Sequence, residues 1–191
     1  YFPVLLFIPA LAIDILYPKI QSLNNFKKYC EMDVFYAISH GVHRGKLKAG
    51  KYDERQDFLE SLIQSIPGVK FDIYGLNKIQ PIWGDSFLKS ISNSKMGLNL
   101  SRGDPIKYYS SDRITQITGN GLVTLIDEKT GYRDFFNDTE MVFYKNVSDL
   151  AEKIAKISCD DKLRRAIGKK GKEKYLKYFN SNLVADFIIK K

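Results

Sequence analysis

Read for the spacing of its apolar positions, the chain falls into short strands alternating with helices. "DVFYAIS" (33–39) is an unbroken apolar run ending in "HGVHRG", the pattern of a buried strand entering a glycine loop. Over 52–66, Phe58, Leu62 and Ile66 recur at helical spacing with Leu59 and Ile63 beside them, and Pro67 and Gly68 end that helix. "VKFDIYG" (69–75) alternates apolar and polar residues, as a strand does. "GDSFLKSISNS" (84–94) predicts a short helix and "KMGLNLS" (95–101) the next strand. A helix over about 111–118, a strand over 122–127 and a short strand over 140–144 follow. Ser148 is placed to cap a helix with Leu150, Ile154 and Ile157 on one face. The last long helix, "DKLRRAIGKKGKEKYLKYF", holds two interior glycines, Gly168 and Gly171, which are expected to weaken it modestly.

Strands alternating with helices at these intervals predict an α/β fold: a Rossmann-like, doubly wound, mostly parallel sheet with helices on both faces. Its expected limits are 33–180, with a tail helix over 181–191 and, over 1–32, a linker or the remnant of a missing N-terminal domain. The opening "YFPVLLFIPALAIDILYP" is broken by Pro3, Pro9 and Asp14, so its uninterrupted apolar run is short for a membrane span. It also lacks the basic start and cleavage site of a signal peptide, and reads as a strand or linker packed on a partner domain. Because the chain opens with Tyr1 and not Met, it is expected to be part of something longer.

Composition narrows the class. A hydrophobic share of 44% and an aromatic share of 13% over 191 residues supply a real core and exclude a disordered chain. Cys30 and Cys159 show neither metal nor redox spacing, which fits a reducing compartment, hence a cytoplasmic protein. The net charge of +8 is concentrated: from 160 to 191 ten basic residues stand against four acidic ones. That excess sits on predicted C-terminal helices, which either face an anionic membrane at its inner surface or are simply solvated.

In an open parallel sheet, ligands settle beyond the carboxyl ends of the strands, where strand order reverses. Three such ends carry suitable chemistry. "SHGVHRG" offers Gly41 and Gly45 for close backbone approach and Arg44 as a fork for phosphate, although it is not GxGxxG. "SRGDPIKYYSSDR" brings positive charge through Arg102 and Lys107, and Ser110 or Ser111 can cap the next helix, whose first amides suit an anion. Tyr108 and Tyr109 either stack on a base or pack internally, and Arg102 either faces a ligand or pairs with a carboxylate such as Asp104. "DEKTGYRDFF" presents Asp127, Glu128 and Thr130 to the same crevice, or is a polar surface turn. His40 and His43 have no third ligand near them in sequence, so no metal site is expected, and His40 is a candidate for phosphate contact or catalysis. There is no P-loop, GxSxG elbow or cysteine nucleophile context. Trp83 reads as a core or helix-start residue.

Gly41, Arg55, Gly75, "GLNLS", "RITQITGNG", "LVTLID", "EMVFYKNVSDLAEKI" and "DDKLRRAIGKKGKEKYLKYF" come in an order that resembles a known family. It is similar to the C-terminal, nucleotide-sugar-binding half of GT-B glycosyltransferases, in particular the bacterial glycosyl transferases group 1 of spore-coat, capsule or lipopolysaccharide type. The resemblance implies polysaccharide biosynthesis: transfer of a sugar from a nucleotide-sugar donor to a glycan or lipid-linked acceptor, without metal or other cofactor. Its donor phosphates would rest on Gly41, Arg44, Arg102, Lys107, Ser110, Ser111 and Arg113, and its nucleoside on Tyr108, Tyr109 and Gln116. Arg113 would contact phosphate or brace the loop. The family's ribose-binding glutamate falls at Gln116, whose carbonyl accepts a hydrogen bond without the charge that strengthens it. A second glutamate of the retaining signature falls at Tyr108. A catalytic base would belong to the other domain, so the isolated chain is expected to bind donor and turn it over poorly. The competing classes are a non-catalytic nucleotide-binding or scaffold module of the same fold, and an RNA binder working through the basic tail. The tail has no aromatic residues interleaved on a sheet face, so nucleic acid is not the expected partner.

Overall fold

The computed structural model describes residues 30–38, 54–76 and 78–190. Along the chain run β1 (Met32–Ala37), α1 (Arg55–Ser65), β2 (Phe71–Tyr74), α2 (Gly84–Ser92), β3 (Ser94–Asn99), α3 (Asp112–Gly119) and β4 (Val123–Asp127). Two single 3-10 turns, Glu128–Thr130 and Tyr132–Asp134, lead to β5 (Val142–Tyr144), α4 (Val147–Cys159), α5 (Asp161–Phe179) and α6 (Ser181–Ile189). The strands lie in the order β2-β1-β3-β4-β5 and all pair in parallel. Val34 in β1 stands between Phe71 of β2 and Met96 of β3. Order therefore reverses at β1, and the switch point falls between β1 and β3.

The period-two alternation within strands sorts the core. Val34, Tyr36, Met96, Leu98, Val123 and Leu125 face one layer, where they meet Leu59 and Leu62 of α1 and Leu150, Ile154 and Ile157 of α4. On the opposite face Phe35 packs with Ile91 of α2 and Ile117 of α3. Ile126 and Phe143 join an aromatic cluster built from Tyr132, Phe136, Tyr175 and Phe179. Helix α5 contributes Ile167 to the first layer and Tyr175 and Phe179 to the second, so it ties the two together. Helices on both faces of a parallel sheet are the architecture the alternating pattern predicts.

Three expectations change. Gly168 and Gly171 are required by packing: a Cβ at Gly168 would lie 2.1 Å from the Gly121 carbonyl oxygen, and one at Gly171 would lie 2.3 Å from that of Glu140. Helix α5 thus rests directly on the backbone leading into β4 and β5. Trp83 occupies the N-cap position of α2 and is 65% exposed, so it starts a helix without joining the core. The cap of α4 is Asn146 and not Ser148: its side chain accepts from the Asp149 amide at 2.9 Å. Asp149 in turn accepts from the Lys145 amide at 2.9 Å, a reciprocal closure that only a cap at Asn146 permits. Asn146→Ala is therefore expected to cost about 1 kcal/mol in urea unfolding, and Ser148→Ala well under that.

Residues 1–29, and with them nearly all of the expected linker, lie outside the described residues. The tail helix is α6.

Candidate functional site

The side chain at the switch point is Arg113, from the first turn of α3. Its Nε donates to the Ala37 carbonyl oxygen at 3.3 Å and its Nη1 to that of Leu100 at 3.1 Å, with the Asn99 Oδ1 3.5 Å away. The guanidinium carbon lies 5.1 Å from the centre of the Tyr36 ring. One planar fork thereby joins the carboxyl ends of β1 and β3. Its position follows from the helix start: the Ser111 hydroxyl donates to Asn99 Oδ1 at 2.9 Å and accepts from the Ile114 amide at 3.4 Å. Desolvation pulls the Arg113 pKa below its ordinary value, and the like charge of Arg55 nearby pushes the same way. Arg55 opens α1 and lines a cavity next to this point.

That cavity measures about 520 Å³. Leu100 and Ser101 beyond β3, Asp127 at the end of β4, Tyr144 and Lys145 at the end of β5, and Arg55 and Phe58 at the start of α1 form its walls. The Tyr144 side chain is 1% exposed, and its hydroxyl has no hydrogen-bond partner among the described residues. Burial first, and the Asp127 carboxylate second, push that hydroxyl's pKa up, so it stays protonated. Asp127 accepts from the Lys129 amide at 2.8 Å, which shapes the wall after β4. The lining also carries Glu54, Asp57 and Asp104, which with Asp127 make four carboxylates against Arg55, Lys129 and Lys145.

Several expected site residues are placed differently. Gly41 and Arg44, with His40, His43 and Gly45, lie outside the described residues. Arg102 is exposed on the rim, between the wall residues Ser101 and Gly103. Lys107 turns to the Asp134 carboxylate at 3.6 Å and sits 4.6 Å over the Tyr108 ring, and it does not line the cavity. Tyr108 is committed to packing: its amide donates to the Thr130 carbonyl at 2.8 Å, its hydroxyl to Asp134, and its ring meets Phe135 edge-on at 5.3 Å. Tyr109 is 56% exposed, so of the two tyrosines it has the open ring.

Ser110 is buried beside Tyr132 and so cannot meet a phosphate at the surface; Ser111 is the cap. Asp112, an exposed carboxylate in the first turn of α3, already faces the positive helix end that was expected for an anion. Gln116 is buried, and its Oε1 has no partner among the described residues. In the third loop Asp127 reaches the cavity, Thr130 is buried and donates to the Asp127 carbonyl at 2.6 Å, and Glu128 faces Arg133 at 3.7 Å.

Tyr144 was invisible in sequence, since a tyrosine in a short apolar strand reads as core. Arg55 appeared there only among the residues that carry the family resemblance; its place in the cavity wall is a product of the fold.

The all-parallel, Rossmann-like sheet matches the fold of GT-B glycosyltransferases. Residues 54–190 match the family described as glycosyl transferase-like, and the chain belongs to that family. A structure of an S. aureus TarM variant with fondaparinux, α-GlcNAc-glycerol and UDP is similar at TM-score 0.61 and 17% identity, over 86% of this chain and 36% of that one. Anabaena HepE in complex with UDP is similar at TM-score 0.61 and 11% identity, over 93% and 51%. The C-terminal domain of the glycosyl transferase group 1 protein LpcC from Francisella tularensis is similar at TM-score 0.54 and 10% identity, over 84% and 92%. The chain thus spans a third to a half of the TarM and HepE chains, and nearly all of the LpcC domain. No curated protein sequence matches it.

Proposed function

We propose that the chain is the donor-binding half of a glycosyltransferase that passes a sugar from a nucleotide-sugar to a glycan or lipid-linked acceptor. The observation that carries this reading is a cavity of about 520 Å³ at the carboxyl ends of β3, β4 and β5, with Arg55 in its wall and Arg113 held behind Leu100 at the switch point. A nucleoside diphosphate in that cavity would place its charge against these guanidiniums. As the glycosidic bond breaks, negative charge grows on the leaving diphosphate, and fixed guanidiniums stabilise it in place of a metal ion. UDP in the TarM and HepE structures makes a uridine nucleotide the first ligand to try.

The test is a thermal-shift titration with UDP, GDP and their sugar conjugates, with and without magnesium. A ligand at a hundred times its Kd adds about 2.7 kcal/mol, which for a chain of this size raises Tm by roughly 5–10 °C. A saturable shift with one nucleotide and no dependence on magnesium is the expected result. No shift at millimolar ligand would sink the reading for this chain.

A second reading, a non-catalytic nucleotide-binding module, is favoured by Gln116, which stands in the place of a ribose-binding carboxylate and is buried. Gln116→Glu separates the two. It tightens nucleotide binding if the ribose reaches residue 116, and leaves binding unchanged if it does not.

A further inference from the structure

We propose that α6 and the adjoining edge of α5 form a docking surface for an anionic lipid bilayer. This adds a surface to the donor-binding reading and does not rest on it.

The first support is apolar exposure. Helix α6, "SNLVADFII", carries one charged residue, Asp186, whose carboxylate lies 3.1 Å from the Lys190 ammonium. Leu183, Ile188 and Ile189 are 48%, 53% and 81% exposed, and Tyr178 at the end of α5 is 53% exposed. An apolar helix left open to solvent marks an interaction surface. Beneath it lies a groove of about 430 Å³ walled by Phe135, Phe136, Tyr178, Phe179, Leu183 and Phe187. Asp134 and Lys174 stand at its rim. An apolar groove of this kind suits part of an acyl chain.

Charge decides the occupant. Lys170, Lys174 and Lys177 recur at i, i+4 and i+7 on one edge of α5, and Lys174 of these lines the groove. The acidic groups here are already answered: Glu140 by Lys174 at 2.8 Å, Glu173 by Lys169 at 3.8 Å, and Asp134 by Lys107 and Tyr108. Exposed Lys170 and Lys177 therefore add to a segment in which ten basic residues face four acidic ones. An apolar strip flanked by lysines matches lipid tails beneath anionic headgroups. A nucleic acid has no use for the apolar groove, and a neutral protein surface has none for the lysines. The nine residues of α6 span about 14 Å, half a hydrocarbon core, so the helix lies in the interface and does not cross it. Among the described residues no helix is long and apolar enough to cross.

The test is flotation of the whole 191-residue chain with vesicles of phosphatidylcholine, and with vesicles that also contain phosphatidylglycerol. Binding is expected to the anionic vesicles only, and raised salt should release it. Ile188→Glu with Ile189→Glu, and separately Lys170→Glu with Lys177→Glu, should each lower partitioning about tenfold or more. All four sites are exposed, and unchanged circular dichroism and Tm verify the fold. Equal binding to neutral vesicles, binding that survives both pairs of substitutions, or no binding would overturn the proposal. So would light scattering that shows a dimer abolished by the isoleucine pair, since a second copy would then cover α6. Nucleotide-induced stabilisation should be the same in these variants, which keeps the two proposals separately testable.

Discussion

Gly168→Ala is expected to destabilise the chain by about 3 kcal/mol, although alanine is the better helix former. On an isolated helix the same change would stabilise by about 1 kcal/mol. Here the added methyl would lie 2.1 Å from the Gly121 carbonyl oxygen, a backbone atom that has no rotamer to escape into. Gly121 itself holds a left-handed conformation, φ 78°, in the turn that feeds β4. Relief must come from lifting α5 off that turn, which loosens Ile167 in one layer and Tyr175 in the other. Overpacking of this kind costs about 1–3 kcal/mol and occasionally more, so the clash outweighs the propensity gain. Gly171→Ala meets the Glu140 carbonyl at 2.3 Å and should behave alike. The double variant should cost less than the sum, because one displacement of α5 relieves both contacts. Urea unfolding measures all three; stabilisation by either single substitution would show that α5 stands clear of the backbone.

Arg113→Ala should lower stability by about 2–3 kcal/mol and weaken nucleotide binding at least about tenfold. The substitution leaves the Ala37 and Leu100 carbonyls without their donor and uncouples the ends of β1 and β3. Arg113 is half-buried, so water can reach part of the gap and hold the structural cost near the lower figure. Arg113→Lys keeps the charge but loses the fork, and a single ammonium cannot serve both carbonyls in the same geometry. It should therefore recover more of the binding than of the stability. Unfolding measured with and without UDP separates the roles. If stability falls while the UDP-dependent increment is unchanged, Arg113 only braces the strands, and the diphosphate does not lie against it.

Much of this was legible in the sequence, and the limit has a physical cause. Local patterns reach as far as local forces do. The alternation in "VKFDIYG" and the helical spacing of Leu150, Ile154 and Ile157 are imposed by backbone geometry, so element types and their order could be read directly. Ser111 as the cap of α3 is of the same kind, because the bond it makes closes within three residues. Where two local solutions competed, as at Asn146 and Ser148, the choice fell to a reciprocal contact from Asp149.

The rest depended on residues distant in sequence. Tyr108 looked free to stack on a base, and contacts from Thr130, Asp134 and Phe135 committed it to packing. Gly168 and Gly171 looked like weaknesses until the carbonyls of Gly121 and Glu140 came up against them. By itself the sequence determined the α/β architecture, because periodicity and turn chemistry are short-range. Only the tertiary structure decided that Arg113 joins the ends of β1 and β3, since those strands become neighbours solely through the reversal of strand order at β1.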